Sequence, residues 1–317
     1  MIKKILLGIV ITTMSLLLLL VVGLIINQQV QQNQDLNALE EKGMRIETDH
    51  GAFHVHQFGS GEPLVFLSGL GTTAPLYDFK PLWHALKDEY EIIVIERPGY
   101  GYNDSATRDK EIDTIVDGYK ATLDALEIED SVTLVAHSLG GLEAIRWAQK
   151  DANQIKQIIA LDPAIAPMVL EHQSVPNIIE RNIQFMVGRL GVARFMDEQM
   201  RLEALPLLNY ESFDASEEEA IKTLFHAQMF NRNIVREITH IEQNAEIIAS
   251  DQTPADTPVL VLISQENLDD NEHAKDVFDS YFNDFNDTTT HILNTYHYVH
   301  HEKYDEILNA FNDFIAD

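Results

Sequence analysis

The sequence predicts an α/β protein: a mainly parallel sheet with helices on both faces and a helical cap, preceded by one transmembrane helix. Short apolar runs alternate with segments of helical spacing, which is the pattern of a parallel sheet covered on both faces. These runs are residues 64–67, 92–95, 132–136, 157–161 and 259–263. Between residues 164 and 253 the strand-like runs stop and helical spacing continues, which predicts the cap. An uncharged apolar run of 22 residues near the N-terminus predicts the transmembrane helix.

Residues 1–26 are predicted to be a transmembrane signal-anchor. Lys3 and Lys4 precede the apolar run at residues 5–26, which as a helix would span about 33 Å, enough for a hydrocarbon core of about 30 Å. The run exceeds the roughly 7–15 apolar residues of a signal peptide, and no A-x-A cleavage site follows it. A cleaved signal peptide and a buried core helix are the alternatives. Because the two lysines favour a cytoplasmic N-terminus, we expect a single-pass cell-membrane protein whose main domain is extracytoplasmic.

The rest of the chain divides by composition into a stalk and one large domain. Residues 27–42 are rich in Gln and Asn and poor in apolar residues, so they are predicted to be a polar stalk whose role is spacing. The domain is expected over residues 43–317 and begins with a hairpin-like alternation at 43–58. The cap is expected at about 165–252, inserted after the strand that ends near residue 161.

Composition excludes several classes of partner and site. The 317 residues carry a net charge of −29, so nucleic acid and anionic lipid headgroups would repel the chain, and no nucleic-acid partner is expected. Cysteine is absent, which excludes a disulfide framework and a thiolate metal site. With 45% hydrophobic residues, the chain can bury a full core.

The most informative stretch for chemistry is residues 134–141, LVAHSLGG, where an apolar run ends in Ser138 and a helix-like segment follows. Small residues on both sides of the serine permit a sharp strand-to-helix turn that presents its hydroxyl group. Ala136 replaces the first glycine of the G-x-S-x-G pattern. Ser138 is therefore the candidate nucleophile, provided that a base and an acid are available.

Four motifs together resemble the α/β-hydrolase family, specifically its esterase- and lipase-like serine hydrolases. They are SGLG at 68–71, RPGYG at 97–101, AHSLGG at 136–141 and HYVHHE at 297–302. The resemblance covers residues 45 to 317 and is weakest at about 165–252. It implies the α/β-hydrolase fold and a Ser-His-acid triad that works through an acyl-enzyme, without a metal or a cofactor.

The resemblance assigns the base to His297, which aligns with the histidine of the family's G-H-x-x-H-H-E segment. Tyr296 stands where that segment usually has glycine, and His300 is the alternative base. The oxyanion hole would consist of the backbone N–H groups of Leu70 and Leu139. Ser68 occupies the position where the family usually has histidine.

The acid departs from the commonest family pattern, because Asn267 occupies the usual aspartate position. An amide cannot supply the charge that stabilises a protonated imidazole, so a carboxylate must come from elsewhere. Asp162, in a segment LDPA at 161–164, is the prediction, since pancreatic-type lipases place their acid in a similar segment. Glu266 and Asp269 are the alternatives. Asp162 could instead cap the turn before Pro163.

The sequence thus favours a membrane-anchored serine hydrolase that cleaves an ester or similar acyl bond of a small molecule. An aminopeptidase of the same fold would need a cap carboxylate to hold a substrate amine, for which the candidates are Glu171, Glu180, Glu198 and Glu203. A non-enzymatic, hydrolase-like ligand-binding protein is a further alternative. Ser138 argues against dehalogenase and epoxide-hydrolase chemistry, which in this fold uses an aspartate nucleophile.

Overall fold

The fold is built on one sheet, seen in a computed structural model that describes residues 2–40, 42–103, 109–171, 178–209, 213–269 and 273–316. Its eight strands are β1 (Met44–Thr48), β2 (Gly51–Gly59), β3 (Glu62–Leu67), β4 (Tyr90–Glu96), β5 (Val132–His137), β6 (Ile155–Leu161), β7 (Val259–Ser264) and β8 (Thr288–Leu293). Their order across the sheet is β1-β2-β4-β3-β5-β6-β7-β8. The β1–β2 and β2–β4 pairs are antiparallel, and the other five pairs are parallel. The predicted fold class, a mainly parallel α/β sheet, is confirmed.

Helices fill the connections between the strands. They are α1 (Ile2–Ala38), α2 (Pro75–Asp78), α3 (Lys80–Leu86), α4 (Ile112–Ala125), α5 (Gly140–Lys150), α6 (Ala166–Glu171), α7 (Ile178–Arg189), α8 (Glu198–Ala204), α9 (Ala215–Gln228), α10 (Arg232–Ala249), α11 (Gln265–Asp269), α12 (Ala274–Phe282), α13 (Val299–Glu302) and α14 (Tyr304–Ala316). Short 3₁₀ turns lie at Ala152–Gln154, Val192–Phe195 and Pro206–Asn209.

Both faces of the central strands are buried, which explains why these strands are continuous apolar runs. On β3, Val65 and Leu67 belong to a core cluster that includes residues of α4, α5 and α12. Leu64 and Phe66 point to the opposite cluster, which includes residues of α3 and α14. Successive side chains of a strand point to opposite faces, so a strand covered on both sides has to be apolar throughout.

Between β6 and β7, the regular elements of the described residues are helices and 3₁₀ turns, namely α6 to α10 and the turns at Val192–Phe195 and Pro206–Asn209. This is the region where the sequence predicts a cap. Residues 172–177 and 210–212 of that region lie outside the described residues. Cap side chains such as Leu207, Leu224 and Phe225 pack against Leu76 and Tyr77 of α2, so this layer covers one end of the sheet.

Helix α1 is a single helix of 37 residues, and its most apolar 18-residue window has a mean hydropathy of 2.9 and no buried residue. It is long and apolar enough to cross a membrane, a property that anchors and signal sequences share. The helix does not end near residue 26, where the apolar run ends, but continues to Ala38.

The polar part of α1 contacts the cap. The composition of this segment suggests only a spacer, so the contacts give it a further role. Gln28 donates to the carbonyl oxygen of His226 at 3.0 Å, and Gln32 donates to that of Ala227 at 2.7 Å. Arg194 in turn donates to the Gln28 amide oxygen and to Asp35, both at 2.6 Å. Because residues 28, 32 and 35 recur at helical spacing, one face of the helix carries all three contacts.

These contacts predict that the stalk stabilises the domain. A soluble form that begins at residue 35 lacks the bonds of Gln28 and Gln32, whereas a form that begins at residue 27 keeps them. We expect the shorter form to lose about 1–3 kcal/mol of unfolding free energy, since each bond contributes about 1 kcal/mol. Urea unfolding of the two forms measures this loss. Gln29→Ala in the longer form is the control, because Gln29 is exposed; equal midpoints for the two forms would rule out this stabilising role.

Candidate active site

The candidate site lies where three neighbouring parallel strands end. Strand β5 ends at His137, β6 at Leu161 and β7 at Ser264, and β6 pairs with the other two. The residues that follow β5 and β6 are Ser138 and Asp162. The carboxyl ends of parallel strands form one edge of a sheet, the edge at which ligands bind in α/β folds.

Ser138 occupies a strained turn between β5 and α5. Its φ angle is +51°, in the left-handed region that non-glycine residues seldom adopt. The turn requires a close approach of the helix to the sheet: a Cβ atom at Gly140 would lie 2.5 Å from the carbonyl oxygen of Leu67. The N–H groups of Gly141 and Ala164 both donate to the carbonyl oxygen of Ser138 at 2.8 Å, which holds the turn. Strain that is held in this way fixes the serine hydroxyl at the strand edge.

The structure brings the three predicted side chains into one hydrogen-bonded chain. The Ser138 Oγ atom lies 2.9 Å from Nε2 of His297, and Nδ1 of His297 lies 2.6 Å from Oδ2 of Asp162. Asp162 is fully buried, whereas the His297 side chain is 39% exposed. A carboxylate only accepts hydrogen bonds, so Nδ1 carries the ring proton and Nε2 is left to accept one from the serine.

Asp162 is held by donors from β7 and from the helix that follows it. Its Oδ1 atom accepts from the N–H of Ser264 at 2.8 Å, and its Oδ2 atom accepts from the Ser264 hydroxyl at 2.8 Å. The side-chain amide of Asn267 donates to Oδ1 at 3.3 Å. Asn267, which stands at the family's usual acid position, therefore acts as a partner of Asp162. A neighbouring carboxylate at residue 267 would repel Asp162, whereas the amide donates to it.

The alternative site residues lie elsewhere. Glu266 accepts from the backbone N–H of His297 at 2.7 Å, so it contacts the main chain of that residue. Asp269 is exposed and accepts from Gln265 at 2.8 Å. His300, the alternative base, is buried and lies 3.0 Å from Asp78.

The loop of the predicted oxyanion hole lies directly beside the serine. A Cβ atom at Gly69 would be 2.9 Å from Cβ of Ser138, so the loop backbone can approach only because this residue is glycine. The N–H of Gly71 donates to the hydroxyl of Tyr100 at 3.0 Å. In the turns and loops of the described residues, the amides of Leu70 and Leu139 donate to no backbone carbonyl. Both N–H groups are thus available to an oxyanion.

Arg97 fixes this loop, a role that its sequence motif does not indicate. Its Nη2 atom donates to the carbonyl oxygens of Ser68 and Gly69, each at 3.1 Å. Its Nη1 atom binds Glu143 of α5 and lies 3.2 Å from Glu237 of α10. Burial lowers the pKa of Arg97, but the two carboxylates outweigh this and hold its pKa well above the usual range. One buried cation therefore links the loop, the helix after the serine and the cap.

A cluster of buried histidines supports the other side of the site. Asp78 accepts from His300 and from His301, each at 3.0 Å, so both of its oxygens are used. His137 donates from Nε2 to the carbonyl oxygen of His297 at 3.2 Å. Carboxylate and imidazole atoms of Asp78, His137 and His300 are near enough together to bind a metal ion. In their present contacts, His137 holds the His297 carbonyl, and Asp78 holds His300 and His301.

Burial lowers the pKa of His300, and it lowers that of His137 further with the help of the neighbouring histidines. Burial raises the pKa of Asp78, but its bonds to His300 and His301 outweigh this and hold it well below its usual range. The unfolded chain therefore binds more protons than the folded protein, both below the ordinary histidine pKa of about 6.5 and below the ordinary aspartate pKa of about 3.9.

These shifts predict that acid destabilises the protein. Each neutral buried histidine lowers the free energy of unfolding by up to about 1.4 kcal/mol for every pH unit below about 6.5. Asp78 lowers this free energy further below about pH 4. Urea unfolding at pH 7, 6 and 5 should show a falling midpoint. His300→Gln should flatten that slope, whereas His291→Gln, at an exposed position on β8, should not change it. A flat wild-type profile over this range would contradict the assignment of neutral buried histidines.

Comparison with known proteins identifies the family. A family profile for the alpha/beta hydrolase fold matches residues 62–304. The uncharacterized protein YbdG of Bacillus subtilis (strain 168) is 31% identical over 265 residues, which cover 82% of this chain and 80% of the relative. The pimeloyl-[acyl-carrier protein] methyl ester esterase of Shewanella woodyi is 27% identical over 129 residues, 40% of this chain and 46% of the esterase.

A solved structure agrees at the level of the fold. Cfl2 from Burkholderia cenocepacia superposes with a TM-score of 0.62 at 16% identity, over 85% of this chain and 94% of Cfl2. The region that the family profile matches, residues 62–304, contains β3 to β8 together with Ser138, Asp162 and His297. The chain belongs to the α/β-hydrolase fold family.

Proposed function

We propose that this protein is a membrane-anchored serine hydrolase that cleaves an ester or similar acyl bond in a small molecule. The observation that carries the proposal is the chain of hydrogen bonds from Ser138 through His297 to the buried carboxylate of Asp162. The similarity to a methyl ester esterase over part of the chain is consistent with acyl chemistry. Membership of the family alone does not select this reaction, because a fold hosts many functions.

In the proposed mechanism, Ser138 Oγ attacks the acyl carbon while Nε2 of His297 takes its proton. The developing oxyanion is bound by the N–H groups of Leu70 and Leu139, and Asp162 stabilises the imidazolium. His297 then gives the proton to the leaving-group oxygen, and the ester bond to that oxygen breaks. Water repeats the attack on the acyl-enzyme, which releases the acid and restores the serine.

A small cavity next to the oxyanion loop favours a short acyl group. A cavity of ≈ 40 Å³ lies between the oxyanion loop and the cap, and Gly71, Tyr298, Leu205, Leu207 and Phe225 are among its lining residues. Because a single water needs about 10–15 Å³ by this kind of measure, the cavity has room for only a few heavy atoms. We therefore expect acyl chains of about two to four carbons to react best.

The aminopeptidase alternative gains no support from the cap carboxylates. Glu171, Glu180, Glu198 and Glu203 are all exposed, and none of them lines the cavity beside Gly71 and Tyr298. An aminopeptidase would need an unpaired carboxylate there to hold the substrate amine. Asp78 does line this cavity, but both of its oxygens already accept from His300 and His301. The described part of the cap therefore favours an uncharged acyl group over an aminoacyl group.

A substrate series tests the proposed reaction. The purified protein would be assayed with p-nitrophenyl acetate, butyrate, octanoate and palmitate, and with aminoacyl-naphthylamides. We expect the highest kcat/KM for acetate or butyrate and no turnover of the naphthylamides. Preference for the naphthylamides would establish the aminopeptidase instead. Binding of esters without turnover would support the ligand-binding alternative.

Helix α1 supports anchoring with the domain outside the cytoplasm, because Lys3 and Lys4 flank its N-terminal end. Fractionation of cells that express the full chain should place it in the membrane pellet, resistant to high salt. Added protease should digest the domain in intact spheroplasts. A soluble protein in the medium with a new N-terminus after about residue 26 would establish a cleaved signal instead.

A further inference from the structure

A second group of buried polar side chains lies away from the candidate active site, on the hairpin side of the sheet. His54 and His56 alternate on β2, so both point to the same face. Glu96 is paired directly with His54 across the β2–β4 ladder. All three residues are almost fully buried, at 2%, 3% and 0% exposure. One ligand atom from each of the three lies within 4.8 Å of the others.

Two atoms of this group lack hydrogen bonds although they are buried side by side. Nε2 of His56 and Oε1 of Glu96 lie 3.2 Å apart, and neither has a hydrogen-bond partner among the described residues. A buried polar atom without a partner costs free energy and calls for an explanation. Two ligands of a tetrahedral metal ion with bonds of about 2.0–2.1 Å are separated by roughly this distance.

Two contacts around these side chains agree with a metal site. Oε2 of Glu96 accepts from the N–H of Tyr102 at 2.7 Å, which leaves Oε1 free. Nε2 of His54 lies 2.5 Å from the carbonyl oxygen of Lys42. A carbonyl only accepts, so the neutral His54 ring keeps its lone pair on Nδ1. Histidine ligands of metals characteristically donate their other N–H to such an acceptor.

We infer that His54, His56 and Glu96 form a binding site for one divalent transition-metal ion of the zinc class. Two imidazoles and one carboxylate are a ligand set that zinc accepts, with a further position left for water. The carboxylate neutralises one of the two charges of the ion. The three ligands lie on paired strands, and the carbonyl oxygen of Lys42 contacts the His54 ring. The ion would therefore tie the end of the stalk to the sheet.

The site has an entrance. A cleft of ≈ 580 Å³ is lined by Lys42, Gly43, His56, Tyr77 and Glu217, among others, so it reaches one of the three ligands from solvent. The ammonium group of Lys42 lies 5.4 Å from the centre of the Tyr77 ring. The net charge of −29 favours the approach of cations in general.

Metal loading of the full-length protein in mild detergent tests the inference. The protein would be stripped with EDTA, reloaded with zinc sulfate and freed of excess metal, and its zinc would be measured by mass spectrometry. We expect about one zinc ion per chain in the wild type. His56→Gln and Glu96→Gln should each weaken zinc binding by more than about 100-fold, because loss of an outer-layer partner alone costs 10–100-fold. His50→Gln, in the turn of the same hairpin, is the matched control and should bind like the wild type.

Two further measurements keep the test independent of whether the variants fold. X-ray absorption of the zinc-loaded wild type should show only nitrogen and oxygen ligands at about 2.0–2.2 Å. Magnesium and calcium, which prefer all-oxygen sites, should not compete. Failure of the wild type to retain zinc would overturn the inference. The inference would also be overturned if His56→Gln retained zinc and His300→Gln lost it. That result would place the ion at the cluster of Asp78, His137 and His300.

Discussion

Replacement of Ser138 by alanine is expected to lower kcat for the best p-nitrophenyl ester by roughly 10⁴–10⁶-fold, while the fold is unchanged. The side chain makes one polar contact within the triad, the 2.9 Å bond to His297, so its loss removes the nucleophile and little packing. Residual hydrolysis would come from the oxyanion groups and from substrate binding. Steady-state kinetics with a stopped assay for the slow variant would measure the loss.

Ser250→Ala is the matched control, because Ser250 is an exposed residue at the end of α10. It should retain wild-type kcat and KM. Circular dichroism and a urea midpoint establish that both variants are folded. Turnover within tenfold of the wild type in folded Ser138→Ala would eliminate the serine mechanism.

Replacement of Asp162 by asparagine is expected to lower kcat by about 10⁴-fold, by analogy with other serine triads. The amide is nearly the same shape, so Ser264 and Asn267 can still surround it. It no longer supplies the charge that stabilises protonated His297. Its NH₂ group can also donate to Nδ1, which leaves the ring proton on Nε2, where it prevents Nε2 from accepting the serine proton. The loss should fall mainly on kcat, with KM changed little.

The competing acids provide the controls for this prediction. Glu266→Gln and Asp269→Asn should each cost less than about tenfold in kcat, or ~1.4 kcal/mol of barrier. Glu266 contacts the backbone of His297, and Asp269, which is exposed, accepts from Gln265. A larger loss in Glu266→Gln than in Asp162→Asn would return the acid to the usual position after the cap.

The fold could be predicted because its signals are local. The runs at 64–67 and 259–263 are apolar on both faces, so they predict β3 and β7 as buried parallel strands without knowledge of their partners. The polar half of α1 shows what local signals do not predict. Its glutamines indicate solvent exposure, but Gln28 is buried against the cap because His226 and Arg194 supply its partners. Such long-range contacts leave no periodic signal in the sequence.

The residues of the candidate site were predictable to different degrees, because some stand in short motifs and others depend on long-range contacts. Ser138 and His297 stand in short motifs, and with Asn267 at the usual acid position, the resemblance to lipases with an LDPA-like segment directs attention to Asp162. Arg97 lies within a quoted motif, yet its role depends on carboxylates 46 and 140 residues away. The available signal is the position of two charges, because Glu143 and Glu237 stand next to apolar residues of α5 and α10 that are buried, such as Leu142 and Ile238.

Covalent labelling with a fluorophosphonate probe tests the central claim most directly, because the probe reacts only with a serine that its neighbours activate. The serine oxygen displaces fluoride and forms a stable phosphonate ester. Peptide mass spectrometry of the labelled wild-type protein should place one adduct on Ser138, with none in Ser138→Ala and much slower labelling in Asp162→Asn. An adduct on another residue, or a folded wild-type protein that stays unlabelled, would contradict the proposal that Ser138, His297 and Asp162 form an active triad.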